Sequence, residues 1–498
     1  MRSAIFVVLL LIPVFALAQT CDESHGLDIA AIPLVRGAEN SISEKTSVCA
    51  CQLVKGSAAR SVFLECGDAE FGDAECGDAE FGDAEYGDAE YGDAGRLGKL
   101  FLNSSVGLVM APQRHCYIHT LQEKPEPSTN VHLRNHFDNS WAAFAGKKKG
   151  TVAFIGGSIT EMSGYRVMVE QNLRRRFPDT TFKFVNAGIS STCSTTGAHR
   201  LERDVLSAEP DLLFVEFAVN DDQDASHAER ECRRGMEGIL RHARIVNPAM
   251  DIVVTHFVNP PMLELLKQSK TPVSSGTHET VASHYGVSTI DLAREVAERI
   301  EAGELTWATY GGTHPKPAGN RVAAEMIEQL LDAAWAGKSQ AEKGKPDPHK
   351  LASVLDPASY SQGRLVAGND AKFDKSWVWG VPAWATLPGG KRGRFTKLDM
   401  LCAEAVGANL TLDFDGQAVG LYVLAGPDAG RVEYAIDGGE FKTAELFHRH
   451  SKGLHYPRTV MLATGLKRGP HRLTLRVAKN SHQQSEGTAV RILEFVTN

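Results

Sequence analysis

A serine can attack a carbonyl only where its hydroxyl is exposed, lies beside a base and faces donors for the developing oxyanion. Ser158 stands in a stretch suited to this, Gly156-Gly157-Ser158-Ile159-Thr160, directly after the apolar run 151–155. The paired glycines suit a sharp turn that keeps side chains away from the serine. The helix expected next would aim its positive end at negative charge. Asn186-Ala187-Gly188 closes a second apolar run, and Phe217-Ala218-Val219-Asn220-Asp221 closes a third. Thr313-His314-Pro315 precedes the last helical pattern. Taken singly, these are ordinary residues: a turn serine, a capping asparagine, a surface histidine. At the ends of successive parallel strands they would gather on one sheet edge, where ligands bind. Ser158, Gly188, Asn220 and His314 would then form an acyl-transfer centre, although 156 positions separate the serine from the histidine.

The elements that must position them are legible as periodicity. Runs 151–155, 182–185, 212–217, 252–257 and 287–290 read as strands. Between them Tyr165, Met168, Val169, Leu173 and Phe177 fall on one helical face. After Pro317 so do Val322, Met326, Ile327, Leu330 and Leu331. Strands alternating with helices predict a parallel sheet covered on both faces, a three-layer αβα domain, here 98–336 with its motif core at 150–335. A polar, Lys- and Gly-rich linker follows, 337–356. In 357–498 the period becomes two, as in Leu410, Leu412, Phe414 and again in Leu473, Leu475, Val477, which predicts an all-β sandwich.

The four blocks resemble those of the SGNH (GDSL-like) hydrolases over roughly 150–335, most specifically in Glu216-Phe217-Ala218-Val219-Asn220-Asp221 and Thr313-His314-Pro315. The resemblance implies a serine esterase without cofactor or metal. Ser158 would be the nucleophile and His314 the base. Ser158 N–H, Gly188 N–H and the Asn220 side chain would form the oxyanion hole. Where the family carries its acid, three residues before the histidine, this chain has Gly311. A Ser–His dyad is therefore expected, with a backbone carbonyl of the 307–312 loop holding the ring. The alternative is a carboxylate from Glu161, Asp221 or Asp222. The C-terminal part resembles jelly-roll modules joined to sugar-active esterases, and Trp307, Trp377 and Trp379 are candidate sugar contacts. The resulting expectation is a carbohydrate acetylesterase. The same residues would serve an O-acyltransferase, or a non-catalytic glycan-binding protein on this scaffold.

The N-terminus fits a secretory leader: Arg2, an apolar stretch 4–16, then Ala16-Leu17-Ala18, with cleavage expected after Ala18 and a secreted or periplasmic protein as the result. No other stretch is apolar enough to span a membrane. Residues 19–97 are expected to be poorly ordered. Within them, 65–95 holds six tandem Glu-(Cys/Phe/Tyr)-Gly-Asp-Ala pentads with twelve acids and no base, so without it the formal charge of −8 becomes +4. Dense like charge and regular glycine oppose a packed core. No basic stripe exists to bind nucleic acid. The nine cysteines define no disulfide framework and no CxxC pair for zinc, and the later ones read as small buried hydrophobes. His278-Glu279 and His284 lack the i, i+4 spacing of a zinc helix. The acylated carbohydrate is the one partner class the sequence implies; it carries no sign of oligomeric state.

Overall fold

The computed structural model describes residues 49–55, 62–68, 98–102, 106–110, 116–120, 128–338 and 346–498. They fall into two compact units, residues 1–126 and 127–498. In the first, β1 (Cys49–Lys55) pairs antiparallel with β2 (Val62–Asp68), setting Leu53 opposite Leu64 and Val54 opposite Phe63. A separate antiparallel sheet joins β3 (Gly98–Leu102), β4 (Val106–Met110) and β5 (Cys116–Thr120). Strands thus occur upstream of residue 97, where little order was expected, because β-forming residues such as Val62-Phe63-Leu64 cluster just before the repeats. The second strand takes in Glu65–Asp68 of the first pentad. The expected leader 1–18 and pentad residues 69–95 lie outside the described residues. Among the described residues no helix is long and apolar enough to cross a membrane.

The second unit is built on a six-stranded sheet in the order β6-β11-β10-β9-β7-β8. Its strands are β6 (Val131–His132), β7 (Lys149–Gly156), β8 (Thr181–Gly188), β9 (Leu212–Glu216), β10 (Asp251–Thr255) and β11 (Ser288–Ile290). All pair in parallel except β6, a two-residue strand antiparallel to β11 and too short to show in a sequence pattern. The four strands β7 to β10 feed both faces. On β7, Val152 and Phe154 enter one core and Ala153 and Ile155 the other. The first core is covered by α3 (Tyr165–Arg176), α8 (Leu292–Glu301) and α10 (Pro317–Ala334). The second is covered by α4 (Ser194–Asp204), α5 (Glu229–Val246) and α7 (Val273–His284). The remaining helices are α1 (Asp138–Trp141), α2 (Ser158–Glu161), α6 (Pro260–Lys267) and α9 (Trp307–Tyr310). This is the expected αβα domain, although the compact unit starts at residue 127 rather than 98.

The C-terminal part is one nine-stranded antiparallel sheet folded over its own core. Its strands are β12 (Arg364–Ala367), β13 (Lys372–Phe373), β14 (Val378–Gly380), β15 (Met400–Ala403), β16 (Asn409–Ala425), β17 (Arg431–Ile436), β18 (Lys442–Glu445), β19 (Tyr456–Val477) and β20 (Val490–Thr497), with β16, β19 and β20 as the spine. Leu410, Leu412 and Phe414 face that core, and so do Val419, Leu421, Val423 and Ala425. The inward set switches from even to odd positions across the irregularity at Gly416/Ala418, which bends the strand. Trp377 is buried in this core and cannot stack on a sugar; Trp379 is partly buried against it.

Within the second unit the αβα part and the β-sandwich pack directly against one another. The outer face of the β-sandwich shares a core with the αβα part, in which Ile189 packs with Phe395, Met400, Tyr422 and Leu424. The described end of the linker is pinned as well: His349 Nε2 lies 2.7 Å from Asp251 Oδ1, and Leu355 N–H and Asp356 N–H donate to Glu237.

At the C-terminal edge of the sheet, the fully buried Arg200 of α4 donates to Ala187 O at 2.6 Å and to Gly156 O at 3.0 Å. It ties the ends of β8 and β7 together and is charge-balanced by Asp204 at 3.2 Å. Replacing Arg200 by Met removes its donors from Ala187 O and Gly156 O, leaving Gly156 O with only the Ile189 N–H, and takes away the buried partner of Asp204. Chemical denaturation should show stability reduced by about 3–5 kcal/mol; an unchanged midpoint would deny the clamp.

Candidate active site

The turn after β7 is set from below. A Cβ at Gly156 would lie 2.6 Å from Glu216 O, and one at Gly157 would lie 2.0 Å from Asn220 Oδ1. Gly156 therefore requires glycine because the β9 backbone approaches so closely, while a side chain at Gly157 would displace the Asn220 amide. No left-handed backbone is involved, since Gly157 has φ −87°. The helix that Ser158 opens, α2, is a single turn ending at Glu161, so the dipole of a long helix is not available to it. Beneath the turn, the fully buried Glu216 accepts from Thr160 Oγ1 at 3.2 Å, and Thr160 Oγ1 lies 3.0 Å from the Tyr165 hydroxyl. Burial pushes the Glu216 carboxyl up to about 7, against the pull of its hydrogen bonds with Thr160 and the Gly157 N–H.

His314 arrives from the far end of the chain. Helix α9 stops at Gly311 and Gly312, both left-handed with φ +111° and +90°. The turn is fastened by Lys316 N–H to Tyr310 O at 2.9 Å. The buried Asn320 donates to Pro315 O at 2.7 Å and accepts from Tyr165 N–H at 2.8 Å, tying the histidine loop to α3. His314 Nε2 then lies 2.8 Å from Ser158 Oγ. The other ring nitrogen makes no hydrogen bond to a carboxylate or to a backbone carbonyl among the described residues; the ring is exposed. The carbonyl clamp expected from the 307–312 loop is not formed.

The three candidate acids are all committed elsewhere. Glu161 accepts from Ser190 N–H and Oγ–H on one oxygen and from Arg394 at 2.7 Å on the other. Asp222 accepts from Asn259 Nδ2 at 2.8 Å. Asp221 is fully buried and accepts from Ser194 N–H at 2.8 Å, Ser194 Oγ–H at 2.6 Å and His278 Nε2 at 2.9 Å. Burial would raise Asp221, but His227 and His278 beside it hold it well below the carboxylate range. Donor atoms of Cys193, Asp221 and His227, and of Asp221, Cys232 and His278, fall within 4.8 Å of one another. With both Asp221 oxygens engaged, the cluster is a hydrogen-bonded buttress under Asn220. His278 is thus a core residue. Glu279 pairs with Arg134 and His256, and His284 lies 2.7 Å from Ser353 O.

Asn220 is buried at the start of a π-turn, Asn220–Asp224. Its Nδ2 donates to Asp224 Oδ2 at 2.7 Å, and its Oδ1 has no partner. Gly188 differs from expectation. Its N–H is occupied by Asn186 Oδ1 at 3.0 Å, and a Cβ there would meet the Glu161 backbone at 2.3 Å, so its glycine serves packing. In the same loop Ile189 N–H donates to Gly156 O and Ser190 N–H to Glu161. That leaves Ser191 N–H without a hydrogen bond among the described residues. Ser191 sits at φ +70°, a conformation that a serine does not announce in sequence. Trp307 stacks on Tyr310 with ring centroids 5.2 Å apart, on the histidine side of the site.

The β-sandwich reaches this edge of the sheet. Arg392 donates to Ser190 O at 2.7 Å and Ser191 Oγ at 2.8 Å, and Arg394 donates to Gly188 O at 2.8 Å. Trp379 and Arg394 line a groove of about 590 Å³ between the β8 edge and the sandwich, with Asn186, Asp204 and Tyr422.

Residues 154–322 match the GDSL-like Lipase/Acylhydrolase family. Two solved structures share the fold along most of the chain. One is a two-domain esterase (CEX) active on acetylated mannans, co-crystallized with mannopentaose, at 19% identity and TM-score 0.58, covering 74% of this chain and 96% of that one. The other, of the same description without the oligosaccharide, has 20% identity and TM-score 0.56, covering 74% and 97%. No curated protein matches the sequence.

The backbone explains why position 311 carries no acid. A Cβ on Gly311 would lie 2.2 Å from Lys316 N, at a φ that side chains rarely adopt. Gly311→Asp should therefore lower the melting temperature and leave ester hydrolysis no faster than wild type. A faster enzyme would show that the loop can hold a triad acid.

Proposed function

We propose that this carboxylic ester hydrolase, a GDSL-like acylhydrolase domain fused to a β-sandwich, removes O-acetyl groups from a carbohydrate outside the cell, with Ser158 as nucleophile and His314 as base. The observation that carries the reading is the 2.8 Å contact between Ser158 Oγ and His314 Nε2 beside the buried Asn220 amide. As Ser158 Oγ attacks the acetyl carbonyl, its proton passes to His314 Nε2. The carbonyl oxygen becomes an oxyanion facing Ser158 N–H, the Asn220 amide and the 188–191 loop, where Ser191 N–H is the open donor. Collapse expels the sugar alkoxide, which takes the proton from His314. Water, deprotonated by the same nitrogen, then releases acetate and restores Ser158.

Among the described residues no carboxylate hydrogen-bonds the imidazole. An exposed ring is solvated by water, which supplies part of what a buried acid supplies in a closed triad. In serine proteases, changing that Asp to Asn costs about 10⁴ in kcat. A dyad is adequate for esters because an alkoxide leaves more readily than an amide nitrogen.

The carbohydrate assignment is supported by the shared two-domain fold with an esterase active on acetylated mannans and by the groove holding Trp379 and Arg394. A planar indole beside carboxylate and guanidinium groups suits a sugar ring. Trp307 offers a second aromatic face. The leader at 1–18 supports export.

Acetate release from acetylated mannan, measured alongside an aryl acetate, tests this. Ser158→Ala should abolish both activities while leaving the melting temperature within a few degrees of wild type. Undiminished turnover in that variant would remove Ser158 from the mechanism.

A further inference from the structure

Among the described residues the Asn220 amide has one hydrogen bond, from Nδ2 to Asp224 Oδ2 at 2.7 Å. Its Oδ1 has none. The rotation of this amide, and so the direction of its second N–H, is therefore set by Asp224. The side chain of Asp224 is 8% exposed and sits at the last residue of the π-turn. What fixes Asp224 comes from the other end of the chain. His448 Nε2 lies 2.9 Å from Asp224 O, while His448 Nδ1 accepts from His450 N–H at 3.3 Å. That second bond fixes the tautomer, so Nε2 carries the proton and donates to the Asp224 carbonyl. Arg449 donates to Gln223 O, one residue earlier. His450 Nε2 lies 4.0 Å from Asp224 Oδ1. The buried Tyr456 hydroxyl faces the same carboxylate, and the Tyr456 ring stacks on His448 at 4.3 Å. All four are β-sandwich residues, converging on the two residues that end the Asn220 turn.

We infer that Asp224 is a positioning residue that aims the Asn220 amide at the oxyanion, and that the β-sandwich, through His448, Arg449 and Tyr456, holds Asp224 in place. The C-terminal domain is then a working part of the acyl-transfer centre, required even for an ester that carries no sugar. The inference rests on the reading of Asn220 as an oxyanion donor.

The test is a double-mutant cycle on the full-length chain with an aryl acetate, which makes no use of glycan binding. Losing one oxyanion donor costs about 100- to 1,000-fold in kcat, the loss expected for Asn220→Ala. Asp224→Ala should lower kcat by about 10- to 100-fold with KM changed less than about twofold, because a misaimed amide weakens only the transition state. Asp224→Asn keeps an oxygen to accept the Asn220 N–H and should recover most of that loss. In the Asn220→Ala background, Asp224→Ala should cost less than about threefold more, since the two residues act through one contact. His448→Ala should reproduce a smaller kcat loss on the same ester.

Multiplicative losses in the double variant would overturn the inference, and so would a fall in melting temperature with kcat intact. If Asn220→Ala itself leaves kcat unchanged, the oxyanion reading fails instead. Inactivity of wild type on every ester would fail the esterase reading, so the three failures are distinguishable.

Discussion

The catalytic geometry depends on how closely the end of β9 approaches the turn after β7. With 2.6 Å between a hypothetical Cβ on Gly156 and the Glu216 carbonyl oxygen, the two segments meet at a distance only glycine permits. Ser158 is thereby seated from beneath by Glu216, Thr160 and Asn220, a role that its one-turn helix cannot play. From the side, Arg200 fixes the carbonyls of Gly156 and Ala187, so the ends of β7 and β8 cannot drift apart. His314 is the one group that must be brought from a distant part of the chain. Its loop is drawn back by the left-handed pair Gly311-Gly312 and locked to α3 by Asn320.

Much of this was legible in the sequence because it was written as periodicity. The five parallel strands, their covering helices and the all-β C-terminus all follow from apolar spacing. The order of the Ser158, Asn220 and His314 blocks brought the site into view as well. What was not legible has physical reasons. Gly188 looked like an oxyanion donor, yet its neighbour Asn186 takes its N–H, a local contact with no signature. Ser191 adopts a left-handed conformation that its residue type does not signal. Asn320 and Arg200 read as ordinary helix-surface residues until the fold buries them. Glu216 offered a usable hint, being the one acid inside an otherwise apolar strand run. Trp377 counted as a sugar contact only because burial cannot be read from a tryptophan alone.

The contact between the two parts of the second unit was hidden, for a related reason. Periodicity shows which face of an element is apolar but not what covers it. Tyr422 and Leu424 lie on the outward face of β16, where polar residues would be expected, and the hydrolase loop at Ile189 covers them. Arg392, Arg394, His448 and Arg449 would pass as surface residues, yet each ends on a hydrogen bond to the 188–191 loop or the Asn220 turn. A module that seemed appended for sugar binding is in this way built into the wall of the site.

The central claim is that Ser158 and His314 form a nucleophile–base pair that needs no third acid. Its most direct measurement is labelling with a serine-reactive fluorophosphonate, followed by peptide mass mapping, in wild type and in His314→Ala. The account predicts a single stoichiometric adduct on Ser158 in wild type and labelling slowed by orders of magnitude in the histidine variant. An adduct on a different hydroxyl, or labelling of Ser158 at the same rate without His314, would contradict it.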